Sequence, residues 1–235
     1  MDFQNLNSSN LSSRRNFVGK LMATAGAAGL AVPALAEVGA NPAASSQPFT
    51  KIAGEAEAWF KNVKGKHRVV YDAPEPHAGF PVIWSWAFML SNNQTGVADD
   101  AMTSMVVLRH NAIPFAMKDE LWKKYNFGEM FNVTDNATQA PSKRNLYYEP
   151  KEGDFPLPSI DGIKAQQKRG SMYCVCELAL SVYSGAAAQA MGLNAEDVNK
   201  EWVAGVLPDI QIVPSGVWAL GRAQEKDCAY IYAGG

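Results

Sequence analysis

The sequence predicts an α/β protein with three layers (α/β/α), in which a mainly parallel sheet of about five strands lies between helices. Apolar segments of strand length alternate along the chain with segments of helical periodicity, the order expected of a doubly wound sheet. Some strand segments, such as Met102–Leu108, are continuously apolar, as strands covered on both faces require. The 235 residues, 47% of them hydrophobic, suffice for one sizeable core.

The first half of the predicted domain alternates helices with strands. Pro74 and Pro76 end the first strand, because proline cannot continue a ladder. The helix that follows is apolar nearly all round, which suits a helix buried against a sheet. Asp119 and Glu120 favour the start of the third helix. The predicted order is helix, strand, helix, strand and helix, over Ile52–Lys61, His67–Asp72, Phe80–Ser91, Met102–Leu108 and Met117–Tyr125.

A long segment over residues 128–158 has no sustained period and contains Pro141, Pro150, Pro156 and Pro158. Loops of this length are uncommon inside a compact domain, so the segment is predicted to be an insertion. It would serve as a lid, a pocket wall or a subunit contact, or it would be a plain surface loop.

The second half of the predicted domain returns to alternation. Gly192 is expected to close an alanine-rich helix, and Asn194 to cap the next one. The predicted order is helix, strand, two helices, strand, helix and strand, over Ile160–Lys168, Ser171–Cys176, Glu177–Met191, Asn194–Val203, Ile210–Val213, Val217–Glu225 and Ala229–Tyr232.

The amino-terminal segment predicts export. Arg14-Arg15 precedes an Ala/Gly-rich apolar run and the small-x-small exit Ala34-Leu35-Ala36, which together indicate a twin-arginine signal and a periplasmic location. A membrane span needs about 20 strongly apolar residues, so we expect no stable span in the mature chain. The alternative is an uncleaved amphipathic anchor. The sequence predicts a signal peptide, a linker and a single domain over residues 1–36, 37–50 and 51–235.

Composition excludes several classes of function. The 21 basic and 23 acidic side chains nearly cancel, whereas nucleic-acid binding needs a clustered positive excess. Three cysteines are too few for a disulfide scaffold, and the Cys-x-Cys spacing of Cys174 and Cys176 does not predict a metal site. There is no Gly-x-Gly-x-x-Gly run, phosphate loop or nucleophile elbow.

Reactive side chains follow three of the predicted strands. Ligands of open α/β sheets bind beyond the carboxyl ends of the strands, and two of the three histidines and one of the three cysteines fall there. We expect these residues to share a pocket, although polar residues collect at strand ends in any case. The predicted catalytic residue is Cys176, and the predicted ligand-binding residues are His77, His110, Arg109 and Glu177.

Cys176 lies where a strand passes into a helix, so the helix N-terminus is expected to favour its thiolate. A thiolate can attack a disulfide, a persulfide or a polysulfide. The neighbouring carboxylate of Glu177 acts against the anion. The alternative is a buried thiol that fills the core, and Cys174 and Cys228 are expected to be structural in this way.

Two other classes of function fit the same residues. The chain would be a non-catalytic binding subunit if His110 or His77 held haem or another small ligand. It would be a structural assembly protein if the long segment and the six tryptophans made subunit contacts. The sequence identifies no cofactor.

The carboxyl third carries a family resemblance. Cys176 at the start of a helix, the run Val213-Pro214-Ser215-Gly216-Val217 and the ending Ala229-Tyr230-Ile231 resemble the DsrE-like (DsrE/F-type) sulfur-relay family. The opening strand Val69-Val70-Tyr71-Asp72 fits too, so the similarity covers approximately residues 66–232. Export and the segment 128–158 depart from the family's cytoplasmic sulfur carriers.

The resemblance implies an α/β/α domain that assembles into trimers or hexamers. In sulfur-trafficking relatives, a cysteine at the start of the helix after a central strand carries persulfide sulfur, and Cys176 matches that place. With the export signal, the resemblance thus predicts a periplasmic oligomer that binds or relays a small sulfur species, with a small molecule or a sulfur donor as its partner.

Overall fold

The structure is a computed structural model and describes residues 49–234. The predicted signal peptide and nearly all of the predicted linker lie outside the described residues. The strands are β1 (His67–Ala73), β2 (Met102–Leu108), β3 (Thr134–Asp135), β4 (Ala140–Pro141), β5 (Met172–Cys176), β6 (Ile210–Val213) and β7 (Ala229–Tyr232). The helices are α1 (Phe49–Trp59), α2 (Phe80–Gln94), α3 (Asp119–Lys124), α4 (Phe127–Met130), α5 (Ile163–Lys168), α6 (Glu177–Met191), α7 (Ala195–Ala204) and α8 (Gly216–Gln224).

The main sheet has five strands in the order β6-β5-β2-β1-β7, and every pairing in it is parallel. Its alternating side chains form two cores. Val69 and Tyr71 face α2, α6 and α7, whereas Val70 and Met105 face α1 and α8. All seven positions of β2 are buried, which explains its unbroken apolar sequence. The predicted three-layer α/β/α fold is therefore confirmed.

Several helix boundaries follow the local signals. Gly192, with φ 67°, ends α6, and the Asn194 side chain accepts the N–H groups of Glu196 and Asp197 at the start of α7. The helix predicted from Met117 starts two residues later, because Met117 is extended and bridges Val206. Across residues 49–234, no helix combines the length and apolar character that crossing a membrane requires.

The segment 128–158 is not a plain surface loop. It contains most of α4 and the β3–β4 ladder, and several of its apolar side chains belong to the larger core. Those buried side chains are Phe131, Val133, Leu146, Tyr147 and Phe155. The segment thus completes the helical layer on the α6 side of the sheet.

Candidate active site

Strand register brings Arg109 and Cys176 together. Leu108 pairs with Val175 in the ladder between β2 and β5, so the residues that follow them are neighbours at the carboxyl edge. Adjacent strands lie about 4.8 Å apart, so Arg109 is close enough to interact with a Cys176 anion. We call the polar residues along this edge the carboxyl-edge cluster: Asp72, Glu75, Arg109, His110, Asn111 and Cys176.

Arg109 is fixed by a bidentate ion pair. Its Nε and Nη2 donate to Asp72 Oδ1 and Oδ2 at 2.6 and 2.9 Å, and the Tyr230 hydroxyl donates to Oδ2 at 2.8 Å. The hydrogen bond to Asp72 raises the pKa of Arg109. A Cβ atom at Gly216 would lie 2.6 Å from Arg109 Cβ, so α8 begins directly against this side chain. The guanidinium remains 28% exposed at the sheet edge.

Cys176 caps α6 with its sulfur atom. Its Sγ accepts the backbone N–H of Ala179 at 3.3 Å. Burial raises the pKa of the thiol, and this outweighs the hydrogen bonds from backbone N–H groups of Ala179, Gly216 and Leu178, which lower it. The residue is 6% exposed, and the free thiol is protonated at neutral pH. The N–H groups at the helix start thus favour the thiolate, as the sequence predicts, but burial has the larger effect on the pKa.

His110 is oriented by Glu75. Its Nδ1 lies 3.2 Å from Glu75 Oε1, and the Glu75 carboxylate also accepts both bonds of Asn111 Nδ2 at 3.0 and 2.9 Å. The Tyr183 hydroxyl donates to Asn111 Oδ1 at 2.7 Å. The edge of the His110 ring meets the Tyr183 ring, with centroids 5.8 Å apart. The imidazole is therefore held on one side and half-exposed on the other.

His77 belongs to the same edge but has a different partner. Its Nε2 lies 3.2 Å from the Tyr232 hydroxyl on β7, while His110 pairs with Glu75. Both histidines have left-handed backbones, with φ 39° at His77 and 50° at His110. Such conformations are uncommon for residues other than glycine and often occur at functional sites.

Glu177 does not line this edge. It is 1% exposed and turned into the core, where Ser181 Oγ donates to Oε1 at 3.2 Å and Oε2 has no hydrogen-bond partner. Burial raises its pKa to about 7. Its predicted ligand-binding role is corrected, because the first position of α6 points this side chain into the protein.

The sequence interpretation missed the residues that hold the site. Asp72 anchors the Arg109 side chain, and Glu75, held by Asn111 and Tyr183, anchors His110. A charged Asp72 at the end of an apolar strand was a usable signal, whereas Tyr183 lies 72 residues from Asn111 and had none.

Two cavities are lined by none of the residues of the carboxyl-edge cluster. One of about 820 Å³ opens at the amino ends of β5 and β6, beside Trp59, Lys164 and Asp209. A second, of about 500 Å³, lies between α2 and β7, beside Trp84 and Ile231. The predicted sharing of one pocket by all the site residues stays a prediction, as do the haem and assembly alternatives.

The fold defines a three-layer α/β/α protein with a polar carboxyl edge. No protein-family model and no curated protein sequence matches this chain. A solved structure of a protein of unknown function from Methanobacterium thermoautotrophicum is similar, at 15% identity and a TM-score of 0.36. The match covers 71% of this chain and 99% of that protein. The α/β assignment rests on the sheet described above.

Proposed function

We propose that this protein accepts a sulfane sulfur atom on Cys176 and passes it to a second acceptor. One observation carries the proposal: Cys176 Sγ accepts a backbone N–H at the start of α6 and lies beside Arg109 and Gly216. A persulfide formed there would be an anion. Backbone N–H groups at helix starts and a guanidinium all stabilise anions.

The transfer is a thiol exchange that consumes no oxidant or reductant. Cys176 Sγ attacks the sulfane sulfur of a donor persulfide, RSS⁻, and forms a new S–S bond. The donor's own S–S bond breaks, and the donor leaves as the thiolate RS⁻. That thiolate takes up the proton that Cys176 has lost, so the products are the Cys176 persulfide anion and RSH.

The raised pKa of Cys176 gives the unloaded thiol a low reactivity. Since the thiol form predominates at neutral pH, alkylation by iodoacetamide should be slow and should accelerate as the pH rises. Inorganic polysulfide is the better probe, because its negative charge is attracted to Arg109.

We extend the proposal to location and assembly, following the sequence expectations. The protein would act in the periplasm as a trimer or hexamer. Apolar side chains exposed on the first turns of α6 and α8 support an assembly surface near Cys176: Leu178, Val182 and Val217 are 40%, 54% and 67% exposed. Size-exclusion chromatography with light scattering tests this part, and a monomer at micromolar concentration would contradict it.

Mass mapping after polysulfide treatment tests the carrier function. The chain contains its own control, because Cys228 is 5% exposed, close to the 6% of Cys176, but lies at the opposite end of the sheet. We expect one added sulfur atom on the Cys176 peptide, loss of that addition in Cys176→Ser, and retention in Cys228→Ser. Sulfur addition that persists in Cys176→Ser would refute the proposal.

A further inference from the structure

We propose that His110, oriented by Glu75, carries the proton during sulfur transfer at Cys176. This inference rests on the proposed function. It assigns His110 a catalytic role in place of the ligand-binding role predicted from the sequence, and it gives Glu75 a positioning role.

The imidazole has the arrangement of an oriented acid–base group. Glu75 Oε1 lies 3.2 Å from Nδ1, which fixes the ring and leaves Nε2 as the nitrogen available to a substrate. Asn111 holds the Glu75 carboxylate through two hydrogen bonds, and Tyr183 holds Asn111. An imidazole held only for packing would not need a carboxylate that is itself anchored by two further residues.

His110 has a strained backbone conformation. Its φ of 50° is left-handed, and the flanking residues fix this conformation: Arg109 N–H donates to Ala73 O at 3.0 Å and Asn111 N–H to Pro74 O at 2.9 Å. A left-handed residue other than glycine costs about 1 kcal/mol or more. The ends of β1 and β2 together hold that conformation, so the ring is presented by the sheet.

His110 lies on the same sheet edge as Cys176. His110 follows Arg109, the neighbour of Cys176, and its ring edge contacts Tyr183 on α6. Tyr183 is seven residues beyond Cys176, about 10 Å along the helix, and long helical side chains lean toward the N-terminus. In the proposed complex, a small disulfide or persulfide binds at this edge with its leaving sulfur on the His110 side.

The proton balance is closed. Protonated His110 gives its Nε2 proton to the leaving thiolate as the donor's S–S bond breaks, and the proton that Cys176 releases to water as Sγ attacks restores the protonated imidazole. The charged and titratable groups around the ring are Glu75, Arg109 and Tyr183. Glu75 occupies Nδ1, so Nε2 is the nitrogen that gives the proton.

The leaving group provides the decisive test. An aromatic thiolate leaves without help, whereas an aliphatic thiolate is a poor leaving group and needs a proton. We would measure the rate at which Cys176 forms a mixed disulfide with dipyridyl disulfide and with hydroxyethyl disulfide, both small and neutral. The protein is the full chain, and modification is assigned to Cys176 by peptide mass.

His110→Asn should slow the aliphatic reaction by about 100-fold and the aromatic reaction by less than about 3-fold. Asparagine tolerates the left-handed backbone, so the fold is preserved. His67→Asn is the control, because His67 is exposed at the amino end of β1, opposite the carboxyl edge, and both rates should stay unchanged. Glu75→Gln should show the same selective loss as His110→Asn, to a smaller extent.

The outcomes separate the two proposals. Equal slowing of both reactions in His110→Asn, or no slowing, would overturn the role of His110 while leaving Cys176 as acceptor. A wild-type Cys176 that reacts with neither disulfide and gains no sulfur from polysulfide would overturn the proposed function itself.

Discussion

Two arginine–aspartate networks in this molecule use the same chemistry in different ways. In the segment 128–158, Arg144 donates from Nη1 and Nη2 to Asp154 at 2.7 and 2.6 Å and from Nε to Asp135 at 2.9 Å. Lys151 N–H and Ala137 N–H satisfy the same carboxylates. At the carboxyl edge, Arg109 pairs with Asp72 alone and remains more exposed, at 28% against 18% for Arg144.

The difference separates a structural network from a reactive one. Every nitrogen of the Arg144 guanidinium donates to a carboxylate, and the side chain is only 18% exposed. Arg109 keeps Nη1 outside its Asp72 bonds, and it adjoins a thiol and a strained histidine. The Arg144 network, in which every guanidinium nitrogen is bonded, stabilises the segment 128–158. Arg109, which has a nitrogen outside its ion pair and lies beside the strained backbone of His110, indicates the candidate site.

The largest effect should come from breaking the saturated network. Arg144→Met would leave Asp154, whose side chain is 2% exposed, buried without its cation. We expect a loss of about 3–5 kcal/mol in the free energy of unfolding, measured with urea. Lys143→Met, one residue away on an exposed side chain, should change stability by less than about 0.5 kcal/mol.

The rate of sulfur loading in the same variant tests whether the Arg144 network is functionally separate from the candidate site. Arg144→Met protein that remains folded should load polysulfide sulfur on Cys176 at the wild-type rate. A loading rate that falls in proportion to the stability loss would show that the two regions are not functionally separate.

The buried carboxyl group of Glu177 should make the stability of the protein depend on pH, and we expect this effect to be of intermediate size. Its pKa rises from an ordinary 4.5 to about 7 in the fold, so the folded state binds the proton more tightly. The contribution of Glu177 to the free energy of unfolding is complete below about pH 4.5 and is lost as the pH rises to about 7. Glu177→Gln should remove this slope and be more stable than wild type by about 3 kcal/mol at pH 8.

Urea unfolding at several pH values between 4 and 8 checks this expectation. Glu196→Gln is the control, since Glu196 is exposed on α7 and pairs with Lys200. A wild-type slope that Glu177→Gln leaves unchanged would assign the pH dependence to other groups.

The smallest effect should come from a methyl group added at the site. Gly216→Ala would place Cβ 2.6 Å from Arg109 Cβ and displace that side chain, at a cost of about 1–2 kcal/mol. The reaction of Cys176 with anionic polysulfide should slow by about 5-fold relative to its reaction with neutral dipyridyl disulfide. Gly221→Ala, in open space on the same helix, should leave that ratio unchanged.

The sequence predicts the sheet well because its signals are local. Met102–Leu108, Ile210–Val213 and Ala229–Tyr232 match the predicted strands residue for residue, since apolar runs and turn residues define them. The segment 128–158 escaped prediction because its order comes from Arg144 and from aromatic contacts that join distant residues. The local periodicity of a sequence cannot reveal contacts between residues that are far apart in the chain.

The candidate site also has a part that the sequence predicts and a part that it does not. Arg109 and Cys176 are neighbours because they follow or end two adjacent parallel strands at the same edge of the sheet. The sequence can indicate this placement. The anchors Asp72 and Glu75 depend on side-chain directions set by tertiary packing. Glu177 was misplaced for the same reason, because its direction depends on how α6 is rotated against α7.

Release of the carried sulfur tests the central claim most directly, since a relay must both gain and give up its cargo. Polysulfide-loaded protein, freed of excess reagent, would be treated with cyanide, which takes the outer sulfur as thiocyanate and restores the Cys176 thiolate. A sulfur carrier should yield thiocyanate equal in amount to the persulfide mapped on Cys176, and Cys176→Ser should yield none. Thiocyanate from Cys176→Ser in the wild-type amount would contradict it.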